Sequence, residues 1–189
     1  ASLEAINDSR LTINQIEAVF VGNMIYGKLS GQDHLGAALA SMLGITGAGV
    51  RVEGACASGG LAIHLAIQSL LAGTYKNVLV VGADKISSYI DWSDRSTCVL
   101  FGDGAGAVLL APVKTGGILA SVLGSDGRYA ELLKIGSGGS KCPPSQAPAE
   151  SKGHYLQMSG SEVFKLAVRG MADAVTEALE KAGVRLKDI

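Results

Sequence analysis

Residues 50–73 read VRVEGACASGGLAIHLAIQSLLAG: an apolar strand runs into small residues, presents one cysteine, and continues as a long apolar helix. Gly54, Ala55, Ala57, Gly59 and Gly60 around Cys56 permit a sharp turn and leave room for a substrate to reach the sulfur. A cysteine at a helix N-terminus faces the partial positive charge of unpaired backbone N–H groups, which favours the nucleophilic thiolate. Covalent catalysis is the chemistry this pattern serves, with Cys56 as the candidate nucleophile. Read structurally, the same residue is a small hydrophobe in a packed turn, and no partner base lies nearby in sequence. Spacing alone leaves both readings open.

The other reactive side chains carry less. Cys98 lies in the apolar run TCVLF and reads as core, and Cys142, beside Pro143 and Pro144, reads as an exposed loop thiol. Three widely spaced cysteines indicate neither a disulfide framework nor a zinc site. His34 stands at a helix start, where a capping or surface role is the ordinary one, and His64 has the apolar neighbours of a hydrogen-bonded core histidine. Residues 97–112, TCVLFGDGAGAVLLAP, read as two β-type runs joined at Gly102–Gly106 by a tight antiparallel connection, with Asp103 capping its own turn. Those letters contain GxGxxG-like spacing, but an apolar run follows instead of a helix, which argues against a dinucleotide fingerprint.

Composition bounds the function. The 189 residues suffice for a substantial core. They are 48% hydrophobic and 17% charged, and 26 are glycine, a balance suited to buried parallel strands, closely packed helices and a large interface. A net charge of −1 offers no basic stripe for nucleic acid or an anionic membrane. No stretch reaches the roughly 20 apolar residues of a spanning helix, and the N-terminus lacks a signal pattern. The cytosol is the expected compartment.

The elements that must position Cys56 follow from periodicity. Residues 16–22 and 77–82 are continuous apolar runs of the buried-strand type. A glycine-dotted loop through Gly31 precedes a helix over residues 32–43 that Gly44 ends, and a helix over 58–72, apolar nearly all round, reads as buried. Strand, helix, strand, helix, strand predicts a parallel sheet wound with helices. Further strands are expected at 117–124 and 132–135, a long surface loop at 136–153, an amphipathic helix at 161–182 ended by Gly183, and a strand lead-in after it.

Taken together, EGACASGG at 53–60, VLVVGAD at 78–84, DRSTCVLFGDGAGAVLL at 94–110, SDGRYAELL at 125–133 and HYLQMSGSEVFKLAV at 154–168 resemble the thiolase superfamily, in particular its β-ketoacyl-[acyl-carrier-protein] synthase III type. Residues 16–60 look closer to thiolases and residues 91–189 closer to synthase III. The resemblance implies an α/β, thiolase-like fold: a mixed, mostly parallel sheet with a buried central helix, covering helices and an incomplete second repeat. Residues 1–153 would form the half that carries the nucleophile, and 154–189 the opening of the second half.

The resemblance also implies chemistry. In that family the homologue of Cys56 takes the acyl group from a thioester, and a second thioester carbanion then receives it in a Claisen condensation. By position, Arg95 looks like a contact to the coenzyme A nucleotide, and Leu100, Phe101, Met158, Gly160, Ser161 and Phe164 look like walls of the pantetheine tunnel and acyl pocket. Read structurally, Arg95 would pair with Asp91 or Asp94, and Phe164 would be core on its helix stripe. No metal or cofactor is implied, coenzyme A being part of the substrate. The implied partners are acyl-CoA or an acyl carrier protein thioester and, by self-association, further copies of the chain as a homodimer or oligomer. The family's first strand and helix would precede Ala1. Its catalytic histidine, its asparagine and a glycine-rich oxyanion segment would follow Ile189, since His34, His64 and His154 do not match that histidine. Two functions are therefore expected in competition: an acyltransferase of fatty acid biosynthesis, and a non-condensing CoA-binding or assembly module. A fragment with no independent role is a third.

Overall fold

A computed structural model describes residues 1–24, 34–148 and 151–189. The glycine-dotted loop expected through Gly31 falls mostly outside these residues. The chain divides into two compact units, residues 1–85 with 103–117 and residues 86–102 with 118–189.

The first unit is built on four strands: β1 (Ala18–Gly22), β2 (Ala48–Val52), β3 (Val78–Asp84) and β4 (Gly104–Leu110). They lie in the order β2-β1-β3-β4. β1 pairs in parallel with both β2 and β3, and β4 runs antiparallel to β3. Both faces of the sheet are covered, which explains why β1, and β3 as far as Ala83, are apolar or glycine throughout instead of alternating. Val19, Val21, Leu79 and Val81 point into one core with Ile6 of helix α1 (Ser2–Ser9) and Ala40 of α2 (Leu35–Leu43). Ala18, Phe20, Val78 and Val80 point into the other with Ala62 and Ala66 of α3 (Ser58–Leu71). Phe20 meets Tyr75 edge to face, with ring centroids 6.4 Å apart.

Close approach sets the helix positions. A Cβ on Gly36 of α2 would lie 2.6 Å from the Val50 backbone of β2, so the helix rests directly on the strand there. Gly44 ends α2 in the left-handed region, at φ 73°, as its sequence position predicts. α3 differs from expectation. It buries a single face, Ala62 and Ala66, while Leu65 and Leu71 are 40% and 77% exposed. Within this unit the sheet covers one side of α3, so an apolar circumference is buried on that side alone.

The expected hairpin in 97–112 does not form. Cys98–Leu100 is a short 3-10 turn, and the strand begins only at Gly104, with β3 as its antiparallel partner through Asp84↔Gly104 to Val78↔Leu110. The Gly-Asp-Gly run thus leads into a strand whose partner lies earlier in the chain. Cys98 and Cys142 are both half-buried, neither core nor fully exposed.

The second unit holds a two-stranded antiparallel sheet, β5 (Leu133–Ile135) with β6 (Leu156–Met158), followed by the long helix α4 (Gly160–Ala182), which Gly183 ends at φ 66°. No strand forms at 117–124, where Ile118, Leu119 and Leu123 are more than half exposed and no described segment pairs with them. After Gly183 the chain makes a 3-10 turn, Leu186–Asp188, in place of the expected strand lead-in. The 136–153 loop is tied to the 91–94 turn: the Lys152 ammonium donates to the Asp91 carboxylate and, at 3.0 Å, to Ser93 Oγ.

Candidate active site

Cys56 stands where β2 gives way to α3. The preceding residue, Ala55, is in the left-handed region at φ 49°, a conformation costly for any residue with a Cβ, and it makes the chain reverse sharply. Residues 55–57 form one 3-10 turn before α3 begins at Ser58. Ser58, buried, ties the turn together. Its hydroxyl accepts from the Gly54 N–H at 2.9 Å and lies 2.6 Å from the Ala55 carbonyl and 3.1 Å from the Asn23 carbonyl. Glycine at position 22 lets this turn sit on the end of β1, because a Cβ there would lie 2.5 Å from the Ser58 backbone.

The floor beneath the turn is polar and satisfied. Asn23, buried, donates its backbone N–H to the Val52 carbonyl at 3.3 Å and its carboxamide to the Ala83 carbonyl at 2.6 Å and to Asp84 Oδ1 at 3.2 Å. Asp84 Oδ1 also accepts from the Met24 N–H at 2.6 Å. The ends of β1, β2 and β3 and the start of α3 are thus joined in one network. Met24 closes it, with its sulfur 3.3 Å from Cys56 Sγ.

Cys56 is exposed, yet its thiol is pushed above the ordinary value. Atoms packed under the sulfur remove part of its water, which is the largest effect; the Cys56 N–H, which hydrogen-bonds the sulfur, opposes it, and the charge of Asp84 adds to it. The thiolate expected from the helix N-terminus is therefore not the favoured form.

The binding residues that the resemblance implies lie in the second unit. Arg95 is exposed and makes no ion pair among the described residues. The carboxylates next to it are engaged elsewhere, Asp91 by Lys152 and Ser93 and Asp94 by the Ser96 N–H and hydroxyl at 3.0 and 2.6 Å. The pairing of Arg95 with Asp91 or Asp94 thus does not form. Leu100 and Phe164 are 62% and 69% exposed, Gly160 and Ser161 are exposed, and Phe101 and Met158 half-buried. Phe164 is not core. Met158 Cε sits 3.5 Å from where a Cβ of Gly160 would be, so these two are neighbours. His34, at the first position before α2, makes no side-chain cap.

Sequence reasoning gave no role to Asn23, Met24 or Asp84. The signal was present as an Asn just after one apolar strand and an Asp at the end of another, but only the parallel pairing of β1 with β3 brings them together. It also passed over a cleft of about 340 Å3 in the second unit, lined by Arg128, Tyr129, Leu132, Lys165, Leu166 and Arg169 among others. Among the described residues no group of three or more His, Cys, Asp or Glu side chains is placed to hold a metal, and no helix is long and apolar enough to cross a membrane.

The sequence profile of 3-oxoacyl-[acyl-carrier-protein (ACP)] synthase III matches residues 51–127, the stretch holding the cysteine turn, β3 and β4. The β-ketoacyl-[acyl-carrier-protein] synthase III of Clostridioides difficile (strain 630) is 38% identical over 195 residues, covering 100% of this chain. The chain belongs to the β-ketoacyl-[acyl-carrier-protein] synthase III family. It spans 57% of the length of that relative. The synthase III of Caldanaerobacter subterraneus is 49% identical over 131 residues, 69% of this chain and 39% of its own. Among solved structures, the synthase III of Aquifex aeolicus superposes with a TM-score of 0.83 at 33% identity, covering 100% of this chain and 56% of its own. The priming β-ketosynthase of the R1128 polyketide pathway does so with a TM-score of 0.90 at 33% identity, over 100% and 55%. The thiolase-like α/β fold and its mixed sheet are thus those of synthase III enzymes.

Proposed function

We propose that this chain carries the acyl-accepting nucleophile of a thioester-dependent acyltransferase of the synthase III kind. The observation that carries the reading is the exposed Cys56 sulfur on a left-handed turn at the start of α3. In the step proposed, Cys56 Sγ loses its proton and attacks the thioester carbonyl. The new S–C bond forms as the bond from that carbon to the coenzyme A or carrier sulfur breaks, and the departing thiolate takes up a proton. The Cys56 N–H, already aimed at the sulfur side of the turn, supports a role in stabilising the oxyanion of the tetrahedral intermediate. Arg95, free of its neighbouring carboxylates, is proposed to meet the coenzyme A nucleotide, with Leu100, Phe101, Met158, Gly160, Ser161 and Phe164 along the pantetheine and acyl chain.

We propose a second reading beside the first. In that reading the 189 residues hold an acyl group without condensing it. Intact mass after incubation with acetyl-CoA tests the shared step: one acetyl group is expected on the wild type and none on Cys56→Ala. An unmodified wild-type chain at every concentration overturns both readings. Adding a malonyl thioester separates them, since a β-ketoacyl product supports the condensing enzyme and a persistent acetyl adduct the holding module.

A further inference from the structure

We propose that Asp84 is a positioning residue for the nucleophile: through the Met24 N–H and the Asn23 carboxamide it holds the Met24 thioether as a wall against the Cys56 sulfur. The inference rests on Cys56 being the reactive group. Its basis is the order of contacts. Asp84 ends β3 and reaches across to the residues that follow β1, accepting from Met24 N–H at 2.6 Å and from Asn23 Nδ2 at 3.2 Å. Asn23 is itself fixed on three further sides, by the Val52 carbonyl, the Ala83 carbonyl and the Ser58 hydroxyl. Met24 therefore leaves the sheet in one direction, and that direction sets its sulfur 3.3 Å from Cys56 Sγ.

A thioether wall suits acyl transfer. It is polarizable and apolar, accepts an acyl chain or methyl group alongside the sulfur, and offers no proton to it. The same carboxylate also acts at a distance, because its charge opposes thiolate formation on Cys56. Position and charge are separable by substitution. Asn at 84 keeps an oxygen to accept the Met24 N–H but has no charge; Ala keeps neither.

The experiment measures iodoacetamide alkylation of Cys56 against pH in the full chain with C98S and C142S, so that one thiol reacts. Acyl-CoA takes no part, so the outcome does not depend on whether the chain accepts acyl groups. D84A and M24A are expected to raise the high-pH plateau rate at least about twofold, the low end of coupling between residues in contact, and D84A/M24A to raise it no further than either alone. D84N is expected to restore the wild-type plateau while moving the midpoint of the profile to lower pH, which a purely structural role would not do. The proposal is overturned if M24A leaves the plateau unchanged, if the D84A and M24A effects multiply, or if the D84N midpoint stays at the wild-type value. Should D84A lose its far-UV circular dichroism, D84N and M24A still decide the matter.

Discussion

At the scale of single residues, electrostatics decides what Cys56 does at neutral pH. Burial beneath the sulfur outweighs the hydrogen bond from its own N–H, and the Asp84 charge adds to burial, so the thiol holds its proton to higher pH than a free cysteine. Only the thiolate reacts with an alkylating agent. The pH profile of Cys56 alkylation is therefore expected to have its midpoint above that of a cysteine in an unfolded peptide measured alongside. A midpoint at or below the peptide's would mean that the helix N-terminus prevails after all. A second residue-scale effect lies at Asp91, whose carboxyl is held down at about 2, chiefly by the Lys152 ammonium and then by Ser93. A carboxyl depressed in the folded state stabilises it above its unfolded pKa, and that contribution fades as pH falls toward about 2. Lys152, raised by Asp91, adds the mirror image: its contribution is present below the unfolded lysine value and fades as pH rises through the raised one. Between those limits the clasp holds the 152–155 turn, where the Tyr155 N–H donates to the Lys152 carbonyl at 3.0 Å. Lys152→Met is expected to lower the protection of amides in 151–155, taken relative to the intrinsic exchange rate at each pH, at pH 7 and to erase the difference in protection between pH 7 and pH 2. An unchanged exchange rate would leave the clasp without consequence.

At the scale of elements, the nucleophile turn depends on how closely α3 approaches β1. Gly22→Ala places a methyl group 2.5 Å from the Ser58 backbone, so either the helix start or the strand end must move. Overpacking of this kind costs about 1–3 kcal/mol. The expected result is a drop of that size in urea-denaturation stability together with a changed Cys56 alkylation rate; a stable variant with wild-type alkylation would show that the approach is not needed. These elements were legible in the sequence to different degrees. β1 and β3 were readable because burial on both faces makes a continuous apolar run, unbroken in β3 until Asp84, a pattern needing no knowledge of partners. The ends of α2 and α4 were readable because Gly44 and Gly183 can enter the left-handed region without a Cβ penalty. The hairpin in 97–112 was misread because β-type composition does not say which strand supplies the hydrogen bonds: β4 pairs with β3, and the residues expected to be its hairpin arm make a 3-10 turn. The cysteine turn was legible as a turn, but the charge state of its sulfur was not. It depends on Asp84, 28 positions away in sequence, reaching the site only through the parallel pairing of β1 with β3.

At the scale of the whole molecule, the apolar surplus is unevenly spent. Of the eighteen buried hydrophobic residues among those described, fifteen belong to the first unit, and Ile86, Ile90 and Leu156 to the second. α4 buries none, and its stripe of Phe164, Val168, Met171 and Val175 is 48–69% exposed. A helix of 23 residues without a buried side chain, held by its own hydrogen bonds, by Gly183 and by a half-buried patch at Val163, Leu166 and Ala167, opens locally at lower free energy than β1 and β3, which open only with the sheet. Substitutions should divide accordingly. Leu79→Ala, at a fully buried position of β3, is expected to cost about 2–5 kcal/mol, while Met171→Ala, 63% exposed, stays within about 0.5 kcal/mol. Hydrogen exchange followed by mass spectrometry checks the same division without mutation. Peptides spanning 17–22 and 78–84 should retain protection long after those spanning 160–182 have exchanged, and a broad unfolding transition whose midpoint differs between probes of the two units should accompany it. Equal protection in α4 and β3 would require a partner over the α4 stripe in solution. In that case dilution should accelerate exchange in 160–182 and leave 78–84 untouched.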